Sequence, residues 1–174
     1  MKKLFTCFTC LLLCSIKADE FNEWSLGIGH GQQKTGQDNS MVWSQWVFNR
    51  KVMNDVFDWY AGTSFAALYT DFATNQHTET FSLVGGVTAH LSKSLSIDVS
   101  VGPSFLTQRV LGDREQGTHF SFQNIIKLNY QIADATYIGL GFIHYSNGSI
   151  ASPNQSFDVR PFLGVTFTTD IFFS

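Results

Sequence analysis

Alternation with a period of two runs through this chain in segments of about ten residues, broken by turn chemistry, and helix signals are nearly absent. Ser94 to Leu106 is the clearest case: Leu95, Ile97, Val99 and Val101 oppose Ser96, Asp98, Ser100 and Gly102. His119 to Ile132 sets Phe120, Phe122, Ile126, Leu128 and Tyr130 against Ser121, Gln123, Lys127 and Asn129. Comparable segments run over Glu23 to Gly31, Met41 to Asn49, Val56 to Thr70, His77 to Leu91, Thr136 to Ser146 and Val159 to Phe173, which makes eight strands. Side chains two apart in a strand share a face. Each strand therefore has an apolar face and a face of Ser, Gly, Thr, Gln, Asp and Lys.

Such a set can pack its apolar faces inward as a soluble sandwich or lipocalin-like barrel, or turn them outward into lipid. Three features favour lipid. The chain reads as exported yet without cysteine beyond residue 18, aromatics make up 15% and cluster near strand ends, and the polar face carries Asp98 and Lys127 at mid-strand. Unpaired backbone is costly in lipid, so eight spanning strands must close on themselves. The fold class expected is all-β, an eight-stranded antiparallel transmembrane β-barrel.

Export is read from the start of the chain. Lys2 and Lys3 precede an apolar run from Leu4 to Ile16, followed by Lys17-Ala18 and an acidic Asp19-Glu20. This is the pattern of a secretory signal peptide over 1–18, too short to span a membrane, with the barrel domain over 19–174. Cys7, Cys10 and Cys14 all lie in the leader, so the mature chain would hold no disulfide. Taking Lys2, Lys3 and Lys17 from the eleven basic residues leaves eight against fourteen acidic ones. That acidic balance, with no basic stripe, argues against nucleic acid as a partner.

The connections alternate in length. Gln32 to Ser40, Asp71 to Asn75, Thr107 to Thr118 and Asn147 to Phe157 are the longer set; Arg50 to Asp55, Ser92 to Ser94 and Ala133 to Ala135 are mostly shorter. Outer-membrane barrels have short periplasmic turns and longer external loops. The expected location is therefore the outer membrane of a Gram-negative cell, with the seventh strand running outward.

That strand ends in chemistry. His144 and Ser146 follow Ile138, Leu140 and Phe142 on one face, and Asp158 follows after a loop holding Asn147, Gly148, Pro153 and Asn154. A base, a hydroxyl and a carboxylate are the parts of an acyl-transfer site, and such a site calls for no metal or cofactor. The shared parity places His144 and Ser146 on the lipid-facing wall. Charge on that wall costs roughly 2–4 kcal/mol at the midplane and about 0–1 near the headgroups, so a strand end is where it is tolerated.

The run His144-Tyr145-Ser146-Asn147, then Pro153-Asn154, then the acid at Asp158, resembles the motif of outer-membrane lipid A 3-O-deacylases, the PagL family. The resemblance implies hydrolysis of the ester at the 3-position of lipid A in lipopolysaccharide, with release of a 3-hydroxy fatty acid. It further implies Ser146 as nucleophile, His144 as base and Asp158 as acid, with Asn147, Gly148 and Asn154 around the oxyanion. The family acid is often Glu, and Asp158 is one methylene shorter. Gly148-Ser149 stands where a small residue and then Gly are expected. Asp158 also has the wrong parity relative to Val159, Leu163 and Val165, which requires a late strand start or a bulge near Pro161.

Other residues carry blander readings. Ser149 and Ser156 fit turns; His30, His77, His90 and His119 lack metal-ligand spacing. Lys34, Arg109 and Arg114 fall in loops, where solvated charge is the default and lipid phosphate the alternative. Tyr145 points inward or joins an aromatic girdle. Rival functions are a non-catalytic adhesin, pore or structural barrel, and another envelope lipid esterase. Nothing in the sequence decides between a monomer and a homodimer.

Overall fold

The computed structural model describes residues 23–33, 36–72 and 74–168. The expected leader, Lys34 and the Ile171 to Phe173 end of the last expected strand lie outside the described residues. Strands β1 (Glu23–Gln32), β2 (Asp38–Val52), β3 (Phe57–Thr70), β4 (His77–His90) and β5 (Leu95–Leu106) follow in order. A short hairpin of β6 (Val110–Leu111) and β7 (Arg114–Glu115) precedes β8 (Phe120–Ala133), β9 (Thr136–Ser146) and β10 (Phe157–Thr168). The eight long strands form a closed antiparallel barrel in the order β1-β10-β9-β8-β5-β4-β3-β2. Closure through the β1–β10 ladder leaves no free edge, which is what a sheet in lipid needs.

The parity read from sequence holds around the wall. Leu26, Ile28, Val42, Phe81, Val99, Val101, Ile126, Leu140 and Leu163 stand outward and exposed. Ser25, Gln45, Ser64, Thr88, Asp98, Lys127 and Asn129 point inward and are buried. Strand limits differ in places. β2 is longer at both ends than the expected 41–49 segment, and β10 starts at Phe157 rather than Val159. The hairpin β6–β7 falls within what reads as a plain loop, since two-residue strands carry no alternation.

The lumen is not uniformly polar. At the end with short turns, Arg50 donates to Glu23 (Nη2 to Oε2 2.9 Å) and Thr88 Oγ1 (2.6 Å), while Asp98 accepts from Thr88 (2.6 Å) and Asn129 (2.7 Å) and faces Lys127 at 3.4 Å. At the end with long loops, Met41, Trp43, Leu68, Leu106, Ile143, Tyr145, Phe157, Val159 and Phe162 form an apolar plug. These residues sit on the inward face, opposite the lipid-type face, so alternation alone does not distinguish them from a polar lining. Tyr145 belongs to the plug, fully buried, its hydroxyl bonded to Gln123 Nε2 (2.6 Å) and Thr80 Oγ1 (3.1 Å). The plug backs the wall at the loop ends of β9 and β10 with rigid packing.

Candidate active site

In the ladder between β9 and β10, Asp158 stands opposite His144, flanked by the Phe157–Tyr145 and Val159–Ile143 pairs. Those flanking residues are fully buried in the plug, so His144 and Asp158 project from the outer wall. Below them the register shifts between Val159 and Phe162: Arg160 and Pro161 together oppose Phe142. This is the bulge that the parity of Asp158 requires. Two residues against one reverse the parity, so Asp158 faces outward above the bulge and Leu163 faces outward below it. Pro161, which has no amide N–H to give to a ladder, occupies the bulge.

The His144 Nδ1–H donates to Asp158 Oδ1 at 2.6 Å, and the two side chains keep 30% and 21% of their surface exposed. That is enough for a substrate to approach from outside the wall. The missing methylene of Asp relative to Glu is no obstacle, because directly opposed residues bring the two backbones within short reach. With Nδ1 engaged, Nε2 is the ring nitrogen left to act as base. Ser146 lies two residues on, on the same outward face, opposite Phe122 of β8. Among the described residues no hydrogen bond joins Ser146 to His144, and catalytic bonds of this type commonly tighten only once substrate is bound. The Asp158 backbone is held as well: Gln33 Nε2 donates to its carbonyl at 2.6 Å. The charges of Arg160 and Arg114 act on its carboxylate.

After Ser146 the chain turns sharply. Gly148 and Ser149 both have positive φ, 63° and 64°, and Ile150 N–H donates to Asn147 C=O at 3.2 Å. Glycine takes the first of these positions without steric cost. Asn147 is fully buried and holds the loop together. Its Nδ2 donates to the carbonyls of Gln116, Ala151 (2.8 Å) and Pro153 (3.3 Å), and its Oδ1 accepts from Ser149 N–H at 2.9 Å. Its own N–H donates to Asn154 Oδ1 at 3.1 Å, and Asn154 Nδ2 donates to Ser149 Oγ at 3.3 Å. So the Asn147 carboxamide and amide are both spent inside the loop. The Gly148 N–H makes no hydrogen bond among the described residues.

Several contributors escape a reading of sequence. The β6–β7 hairpin folds over the 147–156 loop: Gln116 Nε2 donates to Tyr145 C=O (3.1 Å) and Gln155 C=O (2.9 Å), and Arg114 Nε donates to Ser156 C=O at 2.7 Å. Gln37 ties the first loop to the hairpin by accepting from Asp113 N–H at 2.9 Å. Asn124 of β8 pairs with His144 in register and shares its outward face. No spacing rule links these residues to the site, because the contacts cross between loops far apart in sequence. The scattered His30, His77, His90 and His119 take no part in this cluster, whereas the backbone of Glu115 bonds Gln155 of the loop in both directions, donating to its Oε1 at 2.7 Å and accepting from its N–H at 3.0 Å.

The comparisons bear on the family and the fold. A family described as "Lipid A 3-O-deacylase (PagL)" matches residues 24–162. No curated protein sequence matches the chain. Among solved structures, that of the outer membrane enzyme PagL is similar at a TM-score of 0.62 and 18% identity, covering 83% of this chain and 98% of that one. The Yersinia pestis outer membrane protein Ail is similar at a TM-score of 0.53 and 12% identity, covering 86% of this chain and 99% of that one.

Proposed function

The chain belongs to the lipid A 3-O-deacylase family and is an outer-membrane β-barrel, and we propose that it works as a serine esterase at the outer leaflet, with Ser146, His144 and Asp158 as its triad. The observation that carries this reading is the His144–Asp158 hydrogen bond on the outside of the wall, two residues from a hydroxyl at the loop end. At a strand end of the lipid-facing wall such an imidazole–carboxylate pair costs only about 0–1 kcal/mol, and it stands where a lipid substrate can reach it.

The chemistry follows from the groups present. Ser146 Oγ attacks the carbonyl of the 3-position ester while His144 Nε2 accepts its proton. Asp158 fixes the tautomer through Nδ1 and stabilises the imidazolium. The Gly148 N–H, aimed by the turn that Asn147 and Asn154 hold, donates to the oxyanion. In this reading Asn147 and Asn154 support the oxyanion by shaping the loop around that N–H. His144 then returns the proton to the sugar hydroxyl as the ester C–O bond breaks. Water, deprotonated by His144, attacks the acyl-enzyme, frees the 3-hydroxy fatty acid and restores Ser146.

Mass spectrometry of lipid A from cells with the protein, without it and with Ser146→Ala tests the reading. Loss of one 3-hydroxyacyl chain in the first sample alone is the expected result. An identical loss with Ser146→Ala would remove the nucleophile, and loss of phospholipid acyl chains instead would move the substrate.

A further inference from the structure

Below the site, the outer wall carries an open groove of about 820 Å³ lined by Ile126, Leu128, Leu140 and Phe142, with Arg160 and Pro161 at its lip. Every other member is apolar. Arg160 is exposed on this wall and forms no ion pair among the described residues; its guanidinium lies 5.9 Å from the Phe142 ring centroid. It exists on this face because the bulge places it there, two residues from Asp158. A guanidinium at the edge of the acyl region seeks an anion at headgroup level, and its long stem lets it reach up to one. The charge of Arg160 acts on Asp158, but no ion pair forms between them, and the Asp158 Oδ1 accepts from His144 at 2.6 Å.

We infer that Arg160 is a specificity-determining residue that grips a phosphate carried by the sugar of the lipid substrate. This rests on the reading of the site as a lipid A esterase. The ester carbonyl at Ser146 and the phosphate at Arg160 are two points on one amphiphile, which together set which ester meets the nucleophile. Arg160 touches the substrate away from the reacting bond.

The test uses the full-length barrel in detergent micelles, with phosphorylated lipid A and the same lipid after phosphatase treatment. The readout is the ratio of the two kcat/KM values. Arg160→Ala is expected to lower that ratio about tenfold, through KM on the phosphorylated lipid, and Arg160→Lys to recover part of it. If Arg160 acted only through Asp158, kcat would fall equally on both lipids and the ratio would hold; that result overturns the inference, as does a ratio near one in the unmutated protein. Phosphatidylglycerol added at equal concentration separates a phosphate on the sugar from any lipid phosphate, and full competition by it overturns the assignment. Should the unmutated protein cleave neither lipid, the esterase reading fails by itself. The Arg160 contact is then judged by Kd: a phosphorylated-over-dephosphorylated preference that Arg160→Ala abolishes supports it, and equal Kd values overturn it.

Discussion

Asp158 meets His144 as a cross-strand neighbour, Nδ1 to Oδ1 at 2.6 Å, although the regular parity of β10 below Val159 would turn that carboxylate into the lumen. The bulge at Arg160-Pro161 reconciles the two. Wall and site are thus coupled: the plug residues Phe157 and Val159 anchor the inward parity, and the acid between them is forced outward.

That pairing makes Asp158 the residue whose loss is most easily read. Asp158→Asn keeps the shape and removes the charge that holds the tautomer. It is expected to lower kcat by roughly 10³- to 10⁴-fold with little change in KM, and Ser146→Ala or His144→Ala to cost at least as much. Steady-state kinetics on purified lipid A in micelles measures this. A loss of tenfold or less for Asp158→Asn would remove it from the triad.

Deleting Pro161 removes one residue of the bulge and tests the parity argument directly. With two-against-one pairing gone, either Asp158 swings inward towards Ile143 and Tyr145 while Phe157 and Val159 turn outward, or the residues below shift to the wrong face. The expected outcome is loss of deacylation with a barrel that still folds, seen as heat-modifiable migration on a gel. Pro161→Ala retains the residue count and should keep most of the activity. If the deletion variant stays active, the bulge does not set the orientation of the acid.

The barrel was legible because period-two alternation reports a face directly, and Ile138, Leu140 and Phe142 announced which face His144 would take. The bulge was legible for the same reason, as a conflict of parity between Asp158 and Leu163 with a proline between them. The plug was not, since Trp43, Ile143 and Phe162 alternate as regularly as a polar lining would. Nor was the clamp of Gln116, Arg114 and Gln37 over the site, because loop-to-loop hydrogen bonds leave no period. Asn147 reads from sequence as a neighbour of the oxyanion, and in the structure it directly follows Ser146 and is buried. What sequence does not show is that its carboxamide ties this loop to itself and to Gln116.

Asn147 therefore has its own signature. Its buried carboxamide serves the carbonyls of Gln116, Ala151 and Pro153 and the amide of Ser149. Asn147→Ala leaves these groups to find water, at roughly 1–3 kcal/mol for each one left buried and unpaired. The barrel strands do not depend on them. We expect thermal unfolding to shift little, kcat to fall about tenfold to a hundredfold, and the 147–156 loop to become open to protease. Equal kcat in Asn147→Ala would show that the turn aims itself.

The last prediction concerns how the hairpin seats on that loop. Gly117 has φ +68°, and a Cβ there would come within 2.8 Å of backbone atoms of Ser152 and Pro153. Gly117→Ala thus carries two penalties, the left-handed conformation at about 1–2 kcal/mol and a collision that moves the hairpin off the loop. Gly36, at φ +89°, has nothing within 4 Å of its would-be Cβ. Gly36→Ala carries the first penalty alone, and so serves as the control. Displacing the hairpin breaks the Gln116 contacts to Tyr145 and Gln155 and loosens the turn that presents the Gly148 N–H. Gly117→Ala should lower kcat at least tenfold beyond Gly36→Ala at similar Tm, with hydrogen exchange rising over 147–156. Equal effects of the two substitutions would mean that the hairpin contact contributes nothing to catalysis.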